Sequence, residues 1–222
     1  MPANFDINRF LGLPLIAILR DLPADAVVPA ALAVRDAGFT ALEITMNTPA
    51  ADQQIRAARA SIGATADVGA GTVTSLAELD QAEAAGASFV VTPAVVPEVI
   101  TAAVQRGLPV FAGAFSPTEV LAAHRLGATM VKLFPAHRLG SDYLRDLRGP
   151  FPGIRLLPTG GITPENLPAY CAAGATGFGV GGSLFPADRV RAGDWGWIRS
   201  RAASYCTAFK QARLVNWRAS PH

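Results

Sequence analysis

Lysine is scarce in this 222-residue chain: of its 19 basic residues, only Lys132 and Lys210 are lysines. A guanidinium stays protonated and is a poor nucleophile, whereas an amine can lose its proton and attack a carbonyl carbon. A chain that draws nearly all its positive charge from arginine therefore makes each remaining lysine a candidate for chemistry that arginine cannot perform.

Cysteine, net charge and long apolar runs are also limited. Cys171 and Cys206 are too few and too far apart to indicate a disulfide scaffold or a CxxC metal site. A net charge of +2 gives no electrostatic reason to expect nucleic acid or an anionic membrane as a partner. No apolar run approaches the roughly 20 residues that span a bilayer, and residues 1–6 lack the features of a signal peptide. We expect a soluble cytoplasmic protein.

Eight short apolar segments recur along the chain, with Ala-rich stretches of helical spacing between them. The segments cover residues 13–19, 41–46, 66–73, 89–94, 109–114, 130–134, 155–160 and 177–181. They are continuous rather than alternating, as in strands that are covered on both faces. Strands that alternate with helices indicate a parallel sheet in an α/β fold. Eight such units favour a closed (β/α)8 TIM barrel, with its chemistry at the C-terminal strand ends.

Glycines mark the predicted ends of several helices, where a left-handed residue costs little without a Cβ. They are Gly38, Gly86, Gly107, Gly127 and Gly174. Residues 195–217 read as one extra helix, followed by a short polar tail. Because no linker interrupts the pattern, we predict one barrel domain over residues 1–222.

Two charged residues interrupt predicted strands. Lys132 lies within Met-Val-Lys-Leu-Phe-Pro and Glu43 within Ala-Leu-Glu-Ile-Thr-Met. Burial inside a barrel lowers the pKa of an amine and raises that of a carboxyl group, which suits imine formation and proton transfer. The alternatives are a structural ion pair, although buried pairs often add little stability, and for Lys132 a strand end that is exposed to solvent. We predict a catalytic pair.

Glycine-rich sequences end the last two predicted strands, and both are candidates for phosphate binding. Pro-Thr-Gly-Gly-Ile-Thr spans residues 158–163 and Gly-Val-Gly-Gly-Ser-Leu spans residues 179–184. Barrels often bind phosphate with the loops after strands seven and eight, where glycine lets backbone N–H groups approach the ligand. Ser183 could add a hydroxyl group. The alternative is that each Gly-Gly pair marks only a turn.

Other strand ends supply candidates for substrate contacts. Arg20 ends the first strand and could pair with a substrate carboxylate, or lie exposed. Thr72 ends the third strand among small residues that either leave room for a ligand or ease packing. No spacing of His, Asp and Glu suggests a metal site, and His137 is interpreted as a bystander.

These motifs together resemble the class I 2-keto-3-deoxy-6-phosphogluconate aldolases. That group includes 4-hydroxy-2-oxoglutarate aldolases and 2-keto-3-deoxy-6-phosphogalactonate aldolases. The resemblance lies in Leu-Glu-Ile-Thr around Glu43, Gly-Ala-Gly-Thr-Val at 69–73, Val-Lys-Leu-Phe-Pro-Ala at 131–136 and Pro-Thr-Gly-Gly-Ile at 158–162. It extends from about residue 13 to residue 185, with the motifs in order.

The resemblance implies a set of site residues and a reaction. Lys132 would form the Schiff base and Glu43 would act as acid and base, with no metal or other cofactor. Substrate contacts would come from Arg20, Thr72, Pro93, Phe134 and Thr159, and phosphate contacts from Gly160, Gly161, Gly182 and Ser183. The products would be pyruvate and glyceraldehyde 3-phosphate, and the assembly a homotrimer.

Two positions give conflicting indications about the sugar series. Asn47 stands where phosphogluconate enzymes usually carry an Arg, and together with Arg20 it resembles the galactonate type. Thr159 instead resembles the gluconate type, so the C4 preference stays open. One alternative is an aldolase that converts unphosphorylated 4-hydroxy-2-oxoglutarate into pyruvate and glyoxylate. A non-catalytic phosphosugar-binding barrel is an alternative of another class.

Overall fold

Eight parallel strands form the centre of the molecule in a computed structural model that describes residues 5–219, with side chains through residue 214. The strands are β1 (Leu15–Leu19), β2 (Ala41–Thr45), β3 (Asp67–Gly71), β4 (Val90–Val91), β5 (Val110–Ala114), β6 (Met130–Leu133), β7 (Leu156–Pro158) and β8 (Phe178–Val180). Neighbours in sequence pair in parallel, and β1 also pairs with β8. A bridge between Thr159 and Gly179 brings β7 and β8 together. The predicted (β/α)8 barrel is confirmed.

Ten helices are described within residues 5–219. They are α1 (Ile7–Gly12), α2 (Ala24–Asp36), α3 (Ala51–Ile62), α4 (Leu76–Ala85), α5 (Pro97–Gln105), α6 (Pro117–Arg125), α7 (Ala136–Arg148), α8 (Leu167–Ala172), α9 (Ala187–Arg191) and α10 (Trp195–Ala219), with a 3-10 turn at Gly63–Thr65. Helix α10 extends two residues beyond its predicted end. Only residues 220–222 remain for the predicted polar tail, and they lie outside the described residues. No helix of the described part is long and apolar enough to cross a membrane.

Local side-chain chemistry sets several helix boundaries. The Ser75 hydroxyl accepts a hydrogen bond from the Glu78 N–H at the start of α4. Ser116 and Glu119 form a reciprocal capping box at the start of α6. All five glycines predicted to follow helices have a positive φ, including Gly86 at the end of α4. The serine caps thus mark where α4 and α6 begin, and the glycines mark where the chain leaves the helices that precede them.

The barrel interior is apolar near the N-terminal ends of the strands. Helix α1 inserts Phe10 there, against Phe111 and close to Phe89. On β6, Met130 belongs to this interior cluster while Val131 packs outward against the helices. Because side chains alternate along a strand, Lys132, two residues after Met130, points inward as Met130 does. The floor of the barrel is therefore closed, and the polar residues lie toward its C-terminal end.

Candidate active site

The side chains of Lys132 and Glu43 are both buried inside the barrel. Lys132 is 2% exposed and Glu43 is 1% exposed. On β2, Glu43 lies two residues after Ala41, which belongs to the interior cluster, so it points inward by the same alternation as Lys132. The barrel therefore brings together two charged groups that lie on different strands.

Burial shifts the pKa values of these two groups in opposite directions. Loss of water lowers the pKa of Lys132, and the nearby positive charge of Arg20 lowers it further, while Glu43 opposes the shift. Burial raises the pKa of Glu43, and the charges of Lys132 and Arg20 oppose that shift. A larger fraction of the amine is therefore neutral, and a larger fraction of the carboxyl group is protonated, than in water.

The carboxyl group of Glu43 occupies space that Gly71 leaves free. A Cβ at Gly71 would overlap Glu43 Oε1 and Cδ, and a Cβ at Gly69 would overlap the ring of Phe89. The small residues of this strand thus make room for protein side chains rather than for a ligand, the packing alternative raised by the sequence. Glu43 Oε1 is buried and has no hydrogen-bond partner among the described residues.

A cavity of about 340 Å³ opens above Lys132 at the C-terminal end of the barrel. Its lining includes most of the residues predicted for the site: Arg20, Lys132, Phe134, Thr159, Gly160, Gly161, Gly182 and Ser183. The ring centroid of Phe134 lies 5.4 Å from Lys132 Nζ. Thr159 is buried, and its hydroxyl occupies the space that a side chain at Gly179 would need.

Three predicted site residues are not part of that lining. Glu43 is almost completely buried. Thr72 lies beside Arg20, and Arg20 Nη2 is 3.4 Å from Thr72 Oγ1. Thr72 has a φ of 56°, which is unusual for a β-branched residue. The backbone of Pro93 lies so close to Gly113 that a Cβ there would overlap it. A substrate contact for Thr72 or Pro93 stays a prediction.

In the glycine loop after β7, the carbonyl groups of Gly160 and Gly161 accept hydrogen bonds from other groups of the protein. The Gly160 carbonyl accepts a hydrogen bond from the His137 N–H, and the Gly161 carbonyl accepts one from Asn166 Nδ2. In a trans peptide the N–H points opposite to the preceding carbonyl, so the N–H groups of Gly161 and Ile162 face the other way. The N–H of Gly161 donates to no atom of the described residues. His137 thus contributes its backbone to this loop, while its ring is exposed.

The loop after β8 differs from expectation at Ser183. Its hydroxyl oxygen lies 2.7 Å from the Ile162 carbonyl and 2.7 Å from the hydroxyl of Tyr205. The side chain is therefore engaged within the protein. Within the described part of the chain, the backbone N–H groups of Gly182 and Ser183 have no acceptor. The backbone N–H groups of this loop, rather than the Ser183 hydroxyl group, are therefore the donors available to an anion.

Arg20 projects from the end of β1 and is exposed. Among residues 5–214 it forms no ion pair with a carboxylate; its one hydrogen bond is the long contact to Thr72. The loop that carries it is held by the Asp21 N–H, which donates to Thr48 Oγ1 at 3.2 Å. The guanidinium is therefore available to a carboxylate in the cavity.

Some residues that line the cavity are not among the site residues predicted from the sequence. Asp21 lines the cavity, and its position directly after Arg20 is the one signal that points to it. Ile162 also lines the cavity and lies within the Pro-Thr-Gly-Gly-Ile sequence, but its observed contact is made by its backbone carbonyl, which a side-chain pattern does not reveal. Lys210 is exposed on α10, away from the barrel interior. The described residues contain no group of three His, Cys, Asp or Glu that could hold a metal ion.

Comparison with known proteins identifies the family. A family model described as KDPG and KHG aldolase matches residues 7–200. The 2-dehydro-3-deoxy-6-phosphogalactonate aldolase of Escherichia coli strain K12 is 38% identical over 201 residues, which cover 90% of this chain and 96% of that protein. The chain belongs to the KDPG and KHG aldolase family. The predicted resemblance is confirmed, and the protein is a carbon–carbon lyase.

Solved structures of KDPG and KDPGal aldolases share the fold. A structure described as native KDPGal has a TM-score of 0.86 and 35% identity, and the match covers 96% of this chain and all of that one. The KDPG aldolase from Legionella pneumophila has a TM-score of 0.82 and 27% identity, over 89% of this chain and 96% of that one. It contains pyruvate captured at low pH as a covalent carbinolamine intermediate. Such an intermediate requires a nucleophilic amine, which identifies the class I mechanism of aldolases.

Proposed function

We propose that this chain cleaves a 2-keto-3-deoxy-6-phospho sugar acid of the gluconate or galactonate series to pyruvate and glyceraldehyde 3-phosphate. The observation that carries the proposal is the burial of Lys132 and Glu43 together beneath a cavity lined by both glycine loops. A neutral amine forms the covalent bond, so the chemistry requires no separate cofactor.

In the first stage, the neutral Lys132 amine attacks the C2 ketone of the substrate. The resulting carbinolamine loses its hydroxyl group as water and becomes a protonated imine. Glu43 is the group that supplies and removes protons here, and its pKa suits this role because burial raises it, so the carboxyl group keeps its proton to a higher pH than in water.

In the second stage, the protonated imine accepts the electron pair of the C3–C4 bond. Glu43, acting through a water molecule, removes the proton of the C4 hydroxyl group, and the aldehyde leaves as its carbonyl forms. The remaining enamine takes a proton at C3, and water hydrolyses the imine to release pyruvate and the free amine of Lys132. In the low-dielectric interior of the barrel, the positive charge of the imine interacts strongly with a nearby carboxylate.

The two ends of the substrate are held by different groups. Arg20 pairs with the carboxylate next to the keto group, and Thr72 supports the Arg20 side chain. Backbone N–H groups of Gly160, Gly161, Gly182 and Ser183 bind the distal phosphate. Phe134 and Pro93 provide apolar contacts, and Thr159 lies beneath the substrate chain. Binding energy from the phosphate helps to align C2 with Lys132.

A coupled assay of pyruvate release tests the function directly. Both C4 epimers are supplied to the wild type and to Lys132→Arg, which keeps the charge but cannot form an imine at neutral pH. We expect turnover of at least one epimer by the wild type and none by the variant. Turnover of neither epimer, or equal turnover by both proteins, would contradict the proposal.

A second candidate is the aldolase reaction of unphosphorylated 4-hydroxy-2-oxoglutarate (KHG). The matching family model covers both KDPG and KHG aldolases. The same imine chemistry would serve it, whereas the N–H groups of the two glycine loops would have no ligand. Comparison of kcat/KM for the phosphorylated and unphosphorylated substrates separates the two, and a higher value for the latter would favour this candidate.

A homotrimer and a cytoplasmic location complete the proposal. The trimer rests on the resemblance to the family, and light scattering after size-exclusion chromatography measures it. A mass of three chains supports the assembly, and a mass of one chain at micromolar concentration contradicts it. A cytoplasmic location agrees with a phosphorylated metabolite as substrate, and cell fractionation tests it.

A further inference from the structure

Helix α10 reaches the candidate phosphate site through one buried residue, Tyr205. Its side chain is fully buried, and it lies 22 residues beyond Ser183 in the sequence. The helix follows the last barrel unit, so the strand-end rule that locates barrel chemistry gives no reason to expect a contribution from it. The hydroxyl group of Tyr205 nevertheless contacts both glycine loops.

Three oxygen atoms meet at this point. The Tyr205 hydroxyl lies 2.8 Å from the Ile162 carbonyl and 2.7 Å from Ser183 Oγ, and Ser183 Oγ lies 2.7 Å from the same carbonyl. The carbonyl can accept two hydrogen bonds, and each hydroxyl can donate one. The two protons have three possible arrangements, and in each of them the loop after β7 is connected to the loop after β8, either directly through Ser183 or through Tyr205.

This connection constrains the backbone donors of the site. The Ile162 carbonyl belongs to the peptide between Ile162 and Thr163, and holding it restricts the two preceding peptides, which carry the N–H groups of Gly161 and Ile162. Holding Ser183 restricts the turn that carries the N–H groups of Gly182 and Ser183. A phosphate bound by both loops requires a defined spacing between them, because each N–H···O contact tolerates only a few tenths of an ångström.

A second contact from α10 supports the loop after β7. Arg201 lies one turn before Tyr205 and forms two hydrogen bonds to the carboxylate of Glu165, at 2.9 and 3.3 Å. Its guanidinium also stacks over the Tyr205 ring, 5.6 Å from the centroid. The pKa of Glu165 is lowered to about 2, chiefly by its hydrogen bonds with Arg201. The helix thus holds this loop from the solvent side as well as from the core.

We propose that Tyr205 is a positioning residue that sets the spacing of the two glycine loops and thereby the affinity for the substrate phosphate. The proposal rests on the phosphate site of the proposed function. Tyr205 does not touch the substrate; it acts through the Ile162 carbonyl and Ser183. Its loss should therefore weaken binding of phosphorylated substrates and leave the imine chemistry at Lys132 intact.

The test measures the aldol reaction of pyruvate with D-glyceraldehyde 3-phosphate and with D-glyceraldehyde. For Tyr205→Phe we expect KM for the phosphorylated aldehyde to rise by about five- to tenfold, the effect of one lost hydrogen bond. The kcat values for both aldehydes, and kcat/KM for D-glyceraldehyde, should stay within about twofold of the wild type.

Tyr143→Phe is the matched control, because it also removes a hydroxyl that donates to a loop carbonyl, that of Phe115 at 2.8 Å. That loop follows β5 and is not one of the two glycine loops. We expect Tyr143→Phe to leave the preference for the phosphorylated aldehyde unchanged. Loss of preference in both variants would overturn the specific role of Tyr205.

The outcomes distinguish this inference from the proposed function. A wild type that does not prefer the phosphorylated aldehyde removes the phosphate site and the inference with it. A wild type with the preference and a Tyr205→Phe variant that retains it, or that loses activity equally with both aldehydes, overturns the inference alone.

Ser183→Ala provides an independent test if Tyr205→Phe folds poorly. It removes the hydroxyl group that joins the loop after β8 to Tyr205 and to the Ile162 carbonyl, without changing α10, and it keeps the backbone N–H of residue 183. We expect the same selective increase in KM. In the double variant the loss should differ from the product of the two single losses, because both hydroxyl groups belong to one hydrogen-bond network. An unchanged KM in Ser183→Ala, or additive losses in the double variant, would overturn the inference.

Discussion

Among single residues, Lys132 and Glu43 show how a folded environment changes ordinary side chains. Lys132 is one of only two lysines, both Lys132 and Glu43 interrupt apolar segments, and in the structure both are almost completely buried. Burial penalises the charged form of each group, so the amine gains nucleophilic character and the carboxyl group keeps its proton to higher pH. Arg20 adds a positive charge that lowers both pKa values.

The pH dependence of amine reactivity at Lys132 follows from these shifts. Only the neutral amine reacts with an acylating reagent, so labelling rises with pH, with its midpoint at the pKa of the group. Because burial and Arg20 lower that pKa, the midpoint lies below the ordinary lysine value of 10.5. In Arg20→Gln the midpoint should move to higher pH, since a positive charge that disfavours the ammonium form is lost.

Competitive acetylation over a pH series, read by mass spectrometry of the Lys132 peptide, checks both expectations. A wild-type midpoint at or above 10.5 would contradict the first expectation. A labelling midpoint that moves to lower pH in Arg20→Gln would contradict the second expectation, because it would show that Arg20 does not disfavour the charged amine.

Gly71 is expected to be as important for activity as a residue with a functional side chain. In Gly71→Ala the new methyl group would overlap Glu43 Oε1 and force the carboxyl group away from its position. Since a positioned acid or base contributes about 10²- to 10⁴-fold, we expect kcat to fall by about 10²-fold or more.

Gly153→Ala is the control for this change, because a Cβ there has no neighbour within 4 Å. Steady-state kinetics of both variants, with circular dichroism to confirm folding, measure the difference. A Gly71→Ala protein that folds and keeps the wild-type kcat would contradict the role given to this glycine.

The sequence reveals some of these residue roles and hides others. A lone Lys or Glu in an apolar strand is visible because it breaks a pattern, and both lie inside the barrel as expected. The role of Gly71 depends on which side chain fills its space, and that requires the register between β2 and β3. The engagement of the Ser183 hydroxyl likewise depends on Tyr205, which is distant in sequence.

At the level of structural elements, the two glycine loops place different demands on their glycines. Gly161 has a φ of 73°, and a Cβ there would lie 2.5 Å from the Cβ of His137. Gly182 has an ordinary φ, and nothing lies within 4 Å of a Cβ at that position. Position 161 therefore needs glycine for its backbone and its packing, whereas position 182 has room for a methyl group.

Paired alanine variants test this difference. Gly161→Ala should lower the free energy of unfolding by at least about 1–2 kcal/mol, the cost of a left-handed non-glycine residue, and should raise KM for the phosphorylated substrate. Gly182→Ala should change the free energy of unfolding by less than about 0.5 kcal/mol. Urea denaturation measures both, and equal destabilisation would contradict this account of the loops.

Element boundaries follow from local chemistry where the chain carries clear signals. Pro117 begins α6, and Gly86 and Gly127 follow helices with positive φ, as predicted. Helix α1 has no counterpart among the predicted elements, because six residues are too few to show a helical period. Its burial against the barrel floor supplies the stability that its length does not.

On the scale of the whole molecule, the barrel explains how distant segments form one site. Glu43, Lys132 and Ser183 lie on three separate parts of the chain, and the parallel closure of the sheet brings their strand ends together. The repeated apolar segments favour this closure over an open doubly wound sheet, because eight strand–helix units are the number that a (β/α)8 barrel requires. Contacts that cross between units, such as those of α10, are not encoded in that repeat.

The central claim is that Lys132 forms the covalent bond with pyruvate, and reductive trapping tests it most directly. Treatment of the wild type with pyruvate and borohydride should add one reduced pyruvyl group to the peptide that contains Lys132. The peptide with exposed Lys210, the other lysine in the chain, serves as the internal control and should stay unmodified. An unmodified Lys132 peptide, or equal modification of both lysines, would contradict the account.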